Sequence, residues 1–531
     1  MRTKLASPER SREHADRLIA WLRQAAERID SRHIDESGAI PLAVHRDFAS
    51  AGLFGMYVPE EFGGLALRSQ DIIRVLEQVA AIDLTLVFIV GFSVLCAHGI
   101  VHHAREPLRA AILPALASGR ASAVTAMTEP GVSGSDPLRM QATATPDGPD
   151  RWRISGTKFW IPAAAWASVI LVFVRQLDEN GKSLGLSGFC VDKDAPGLDI
   201  GPRLMNMGLK GFSFYQLTFN DVPVTIDDQL GAPGKGMDTA QSSMQYIRVS
   251  LAGMCLGATR RCAQLMYNYA SRRRIASGRL LKNPVIARDL DDLTARLTAI
   301  QTCVYRTAAL LDDGAEIPDE VCIACKNEAA ELLGEAADRA IQTMGARGYS
   351  EANLAAKILR DARGLRILEG PTEALQMFVG ARVVAGSAPL HTFLGDALGL
   401  PDLATELREH ARAVVEFVTG EQAHLFADSA SAHYFACDRV GALTSRMILL
   451  ATLRASLRGR AAEPAEKRAL RWLGESIKLI LSGVLNSTWE QPDIDYFGQV
   501  IAGYRTVIGD IKPFAHKERP ALDPLLCDGA E

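Results

Sequence analysis

The hydrophobic pattern changes period along the chain. Over residues 8 to about 120, apolar positions recur at helical spacing, with Leu18, Ile19, Leu22, Ala26 and Ile29 on one face of a first helix. Ser7 or Ser11 stands where it can cap that helix. Pro59 to Gly64 reads as a loop, and residues 69–119 predict two or three more helices ending at Ser118-Gly119. From Ala121 the period shortens. The runs ASAVTAM, RWRISGTKFWI, SVILVFVRQL, LGLSGFCVD and FYQLTFNDVPV, parted by Gly, Pro and Asp turns, predict a barrel or sandwich over 121–229. Helical spacing returns from Gly236 to about Val384 in long runs with short joints, which predicts an antiparallel bundle. Further helical candidates occupy 404–419, 438–457, 464–485 and 494–507. The expected order is helical over 1–120, β over 121–235, a helical bundle over 236–385 and an additional helical segment over 386–531.

One stretch of the bundle, RDARGLRILEGPTEALQMFVGAR over 360–382, predicts a helix, a break and a second helix. Proline disfavours helical geometry at the residue before it, so Pro371 predicts that the first helix ends near Glu369 or Gly370. Thr372 then stands where it can cap the next helix, with Glu373 in its first turn. Glu369 becomes a carboxylate held at a helix break among apolar residues. Desolvation there raises a carboxyl pKa, which suits a general base. A solvated helix-end glutamate has the same local sequence, and this stretch alone does not choose between them.

Composition narrows the class. The chain has 531 residues, too many for one ordinary core, with 48% hydrophobic and 23% charged residues. The net charge of −4 and the absence of any basic run longer than Arg272-Arg273-Arg274 give no footprint for nucleic acid. The nine cysteines, in a chain that opens with MRTKLASPERSREHADRLIAWLRQ and shows no apolar signal core, read as reduced thiols of a cytoplasmic protein. No run of about 18 apolar residues stands out as a membrane span. Cys322 and Cys325 form a CxxC without a second pair, and His98, His102 and His103 lack a glutamate partner, so no metal site is expected. TSRMILLATLRASLRGR over 444–460 carries arginines on one side of an apolar face. Such a helix can lie on a membrane, though packing against the rest of the protein is the commoner use.

Several turn-dense segments carry candidate chemistry. TEPGVSGSD over 128–136 is a loop whose N–H groups and hydroxyls can hold a flavin edge or a phosphate, or simply connect strands. GTKFWIP over 156–162 delivers Trp160, either to a ring system or to the core. QTMGARGY over 342–349 closes a helix with glycines, and Arg272 to Arg274 follow the longest helix.

Together with MGLKGFSFYQLTFNDVPV, YASRRRIASGRLL and ILEGPTEALQMFVGARV, these motifs stand in an order that resembles the acyl-CoA dehydrogenase family over roughly 15–385. The resemblance implies an N-terminal helical domain, a middle β-barrel and a C-terminal four-helix bundle. It also implies FAD between the β domain and the bundle, often touching a neighbouring subunit. Glu369 matches the base that takes the α-proton of an acyl thioester while the β-hydride passes to flavin N5. The place of the alternative base in some relatives holds Ile247, so Glu369 stands alone. Met127, Thr128 and Ser135 match the loop that contacts flavin, and Ser135 also the thioester. Trp160 matches the ring's tryptophan, Arg273 a phosphate contact, and Gln342 and Gly345 adenine-side contacts. Gly370 and Thr372 match flavin contacts after the base, and Arg248 an arginine supporting the substrate region.

This chain departs from the family pattern at several points. Pro371 has no N–H where relatives supply a donor to the thioester oxygen. Pro162 replaces a usual threonine, the TEPGVSGSD loop has an extra residue, and RRRIASG lacks a phenylalanine. The leading expectation is FAD-dependent α,β-dehydrogenation of an acyl-CoA, with electrons passing to an electron-transfer flavoprotein or another acceptor, in a homodimer or larger homo-oligomer. Alternatives are an acyl-CoA oxidase, a dehydrogenase of acyl-carrier-protein thioesters, and a catalytically silent scaffolding homologue. The 386–531 segment resembles extensions of larger relatives that meet membranes, and an added bundle at a dimer interface is the favoured use.

Overall fold

The computed structural model describes residues 5–132, 136–486 and 490–509; Ser135, expected in the flavin loop, lies outside them. Helix α1 (Pro8–Ala25) starts at Ser7, whose hydroxyl accepts from the Arg10 N–H at 3.3 Å, and buries Leu18 and Leu22. It packs beside α2 (Ser69–Ile82), which leads into α3 (Leu84–His103). Asp83 caps α3 through the N–H groups of Thr85 and Leu86 at 2.7 and 3.1 Å. Against expectation, α3 is long and apolar enough to cross a membrane, at mean hydropathy 2.3, yet 89% of its apolar window is buried inside the protein. An all-round apolar helix is what a central core position requires. Helix α4 (Glu106–Ala117) completes the N-terminal layer.

The middle region is one eight-stranded sheet. Its strands are β1 (Ala123–Ala126), β2 (Thr143–Pro146), β3 (Arg151–Pro162), β4 (Val169–Leu177), β5 (Ser183–Asp192), β6 (Leu198–Leu204), β7 (Phe214–Thr225) and β8 (Gln229–Leu230). The order is β6-β7-β3-β2-β4-β5-β8, and β1 joins β4 in parallel. Strand β3 slips register against β7 between Lys158 and Ile161, which places Trp160 in a bulge at φ +60°.

The bundle comprises α5 (Gly236–Arg272), α6 (Pro284–Asp312), α7 (Asp319–Met344) and α8 (Leu354–Leu365). Gly257 lets α5 close on α2, since a Cβ there would stand 2.1 Å from the Glu77 carbonyl oxygen. Helix α8 ends at Leu365, earlier than expected from Pro371 alone. The N–H groups of Ile367 and Leu368 turn back onto the Gly364 carbonyl at 2.9 Å, and Glu369 adopts φ +57°, which no right-handed helix accommodates. Helix α9 (Thr372–Val384) has Pro371 at its cap position, not Thr372. The Thr372 N–H instead bonds the Arg366 carbonyl at 3.2 Å.

The C-terminal segment contains α10 (Pro401–Glu416), α11 (Ser429–Ser456), α12 (Pro464–Leu485) and α13 (Ile494–Gly503). Helix α11 lies against α9 with almost no side chain between them. A Cβ on Gly380 would meet the Cys437 carbonyl oxygen at 1.7 Å, and one on Gly441 the Gln376 carbonyl oxygen at 1.9 Å. The membrane-lying option for 444–460 fails here. Ile448, Leu449 and Leu453 are buried in the main core, and Arg446 forms an ion pair with Glu328 of the bundle.

Candidate active site

A cavity of about 690 Å³ opens where the three folding units meet. Helix α3 contributes Phe92, Leu95 and Gly99, and α5 contributes Thr239, Ser243 and Met244. The sheet supplies Thr125, Met127, Thr128, Trp160 and Pro162, and the α8–α9 break supplies Ile367, Glu369, Gly370 and Pro371. A mostly apolar chamber with few polar groups is the usual form of a small-molecule site.

Two carboxylates line it. Asp361 is committed elsewhere: it accepts from Lys357 at 2.6 Å and from the Leu209 N–H at 2.6 Å. The Glu369 carboxylate accepts no hydrogen bond among the described residues, so its lone pairs face the cavity unspent. Burial raises the Glu369 pKa above the ordinary carboxyl value, and the nearby charges of Arg248 and Lys326 pull it back only in part. A carboxylate poised in this way is suited to taking a proton near neutral pH. The left-handed backbone at Glu369 is a strained conformation for a residue with a side chain, and the surroundings hold it. Arg248, buried on α5, donates through Nε and Nη2 to the Glu369 carbonyl, both at 3.4 Å.

The part of the wall supplied by the sheet is held just as firmly. Lys158, fully buried, donates to the Met127 carbonyl at 3.1 Å and to Glu129 at 2.8 Å. Glu129 also accepts from the N–H groups of Gln141 and Ala142 at 2.6 and 3.0 Å. The Phe159 N–H bonds the Thr128 carbonyl at 2.8 Å, tying the loop to the bulge that presents Trp160. Trp160 is 52% exposed, an unusual state for a tryptophan of a sheet, and it lines the cavity. A chamber of this size, with a bared indole, the Thr128 hydroxyl and a glycine at 370, fits a planar ring system beside an extended acyl chain.

The structure thus gathers Met127, Thr128, Trp160, Glu369 and Gly370 at one cavity, with Arg248 and Thr372 buried close behind the break. Arg273, Gln342 and Gly345 are elsewhere, exposed at the ends of α5 and α7. Pro371 lines the cavity without an N–H to offer, and the following N–H is spent on Arg366. No group of three or more His, Cys, Asp or Glu suited to a metal occurs among the described residues. His98 stacks on Tyr246 and tilts against Tyr57, whose hydroxyl is hydrogen-bonded to His102 Nε2 at 2.7 Å, and burial holds His98 well below its ordinary pKa and His102 at about 4. Cys325 sits 3.5 Å from Cys303 across the bundle, with its CxxC partner Cys322 also buried and free. Sequence reasoning missed Lys158, Glu129 and Lys326. The first two lie within or beside recognised motifs, whereas Lys326 carries no local signal.

Comparison with known proteins places these features. Residues 12–120, 124–222 and 234–384 match the N-terminal, middle and C-terminal domains of acyl-CoA dehydrogenase. The chain is 28% identical over 378 residues to a probable acyl-CoA dehydrogenase, fadE25, of Mycobacterium bovis, covering 70% of this chain and 95% of the relative. It is 30% identical over 353 residues to the short-chain specific acyl-CoA dehydrogenase of Homo sapiens mitochondria, covering 66% and 84%. The fold matches an acyl-CoA dehydrogenase of Bacillus anthracis complexed with FAD at TM-score 0.75 and 21% identity, covering 96% of this chain and 94% of that one. That match extends over the C-terminal helices as well.

Proposed function

The chain belongs to the acyl-CoA dehydrogenase family, and we propose that it desaturates an acyl thioester between Cα and Cβ with Glu369 as the base. It is an FAD-dependent oxidoreductase by that membership. The observation that carries the residue assignment is the Glu369 carboxylate, raised in pKa by burial, free of hydrogen bonds among the described residues and lining a mostly apolar cavity.

The chain's own residues divide the work. Met127, Thr128 and Trp160 form the wall against which the isoalloxazine ring would rest. Phe92, Leu95, Gly99 and Met244 bound the space left for the acyl chain and exclude water from it. Glu369, on the opposite side, accepts the α-proton. Bound FAD supplies the acceptor for the β-hydride. Because Pro371 offers no N–H, support for the developing thioester oxygen falls to other donors. An electron-transfer flavoprotein is the proposed outlet for the electrons.

The exposed positions of Arg273, Gln342 and Gly345 suit a cofactor whose far end is met by a second copy of the chain. Helix α13 buries none of its residues and bares Ile494, Tyr496, Phe497 and Ile501, so it is proposed as part of a subunit contact. The free, buried thiols support a reducing, cytoplasmic location.

Turnover of butyryl-CoA, octanoyl-CoA and palmitoyl-CoA, followed by the appearance of the 2-enoyl product, tests this function. Product formation lost in Glu369→Gln supports it. Product formation at wild-type rate in that variant excludes Glu369 as the base.

A further inference from the structure

The break that carries Glu369 is costly to hold. Glu369 sits at φ +57° and Gly370 at φ +102°, so consecutive residues leave the right-handed region. A non-glycine residue there is strained and persists only when neighbours over-determine it. Side chains of the bundle do so by gripping carbonyl oxygens. Arg248 takes that of Glu369, and Asn327 donates to that of Thr372 at 3.2 Å. Between them, Lys326 donates from Nζ to the Gly370 carbonyl at 2.7 Å.

Lys326 is the member of this set that packing alone does not explain. Its side chain is fully buried on α7, and the Gly370 carbonyl is its one hydrogen-bond acceptor among the described residues. A buried ammonium with a single acceptor is an expensive way to fill core space. The charges around it come from three elements. Arg248 and the neutral thiol of Cys255 face it from α5, Glu331 from its own helix, and Glu369 from the break. Burial lowers the Lys326 pKa to about 8, against which the charge of Glu369 is a restoring influence. The same pairing acts on Glu369 in reverse, favouring its ionised form.

We propose that Lys326 is a positioning residue of the active site, whose ammonium pins the Gly370 carbonyl, holds Glu369 in its left-handed conformation at the cavity, and keeps a positive charge near that carboxylate. This rests on Glu369 being the base. Lys326 touches neither thioester nor ring and acts wholly through the break.

Two variants separate the clamp from the charge. Lys326→Met removes both, and Lys326→Gln keeps a donor without the charge. Each is purified with its flavin and assayed for kcat and KM over pH with whichever acyl-CoA the wild type turns over. Amide hydrogen exchange of the 366–375 segment is read alongside. In Lys326→Met, kcat falls about tenfold with KM changed far less, the acid limb of the kcat profile moves up by about one pH unit, and the segment exchanges faster. Lys326→Gln restores slow exchange and leaves the acid limb displaced. Should Lys326→Met fail to fold, the acid limb of Lys326→Gln decides. An acid limb unmoved in the folded variants, with Glu369→Gln inactive, overturns the role of Lys326 alone. Full turnover by Glu369→Gln overturns it together with the assignment of the base.

Discussion

Arg446, on α11 of the C-terminal segment, pairs with Glu328 on α7, two residues from the lysine that grips the break carrying Glu369. Its guanidinium also stacks over Trp472 at 5.0 Å and donates from Nε to Ser476 at 3.0 Å. The added helices therefore reach into the bundle that positions Glu369, and do not simply trail from it.

Removing one member of this pair strands the other. Arg446→Met leaves a mostly buried Glu328 unpaired and is expected to cost about 3 kcal/mol in denaturant unfolding. The double change Glu328→Met with Arg446→Met recovers most of that loss. Additive losses in the double variant contradict the pairing.

The crossing of α9 and α11 depends on the absence of side chains. Gly441→Val forces the Gln376 carbonyl away and is expected to destabilise by ~3 kcal/mol, with lower turnover because α9 begins at the break. Gly474→Ala, facing open space in α12, is the control and should stabilise slightly or do nothing. Equal effects of the two in thermal unfolding argue against the close crossing.

Ionising Glu369 in its buried position costs stability. Its folded pKa is raised, so the folded state holds the proton more tightly than the unfolded state does. Between the ordinary carboxyl value and the raised one, stability falls as pH rises. Glu369→Gln removes this burden and should raise Tm at neutral pH, with the gain shrinking as pH is lowered toward the carboxyl range. A variant less stable than wild type at neutral pH would show that the carboxylate is held by partners.

Trp160 is half exposed at the cavity and fills little of the core, so its loss should spare the fold. Trp160→Ala is expected to weaken flavin retention about tenfold with Tm little changed once flavin is removed. Flavin content after extensive dialysis measures this, and unchanged retention removes Trp160 from the ring wall.

Much of this architecture is legible in periodicity. The switch from helical to β spacing near Ala121 and back near Gly236 falls beside β1 and α5, because a half-buried strand and an amphipathic helix need different spacings. The break that carries Glu369 was legible because Pro371 announces it. Where the break begins was not, since Ile367 and Leu368 turn back through backbone bonds that no side chain advertises. The cap was misplaced onto Thr372 for the same reason. Lys326 was invisible because a charged residue on a helix usually faces water, and only the packing of α7 beneath the break buries it. The apolar face of 444–460 packs into the core, the commoner of the two uses its sequence allows, because an apolar stripe on a helix does not itself say whether protein or lipid covers it.

The most direct test of the central claim is anaerobic visible absorbance of the purified holoprotein during titration with butyryl-CoA, octanoyl-CoA and palmitoyl-CoA, beside Glu369→Gln. The account predicts that at least one thioester bleaches the flavin band of the wild type, while the variant binds flavin and stays unbleached. Bleaching of Glu369→Gln at the wild-type rate, or a wild type that carries flavin no thioester bleaches, would contradict it.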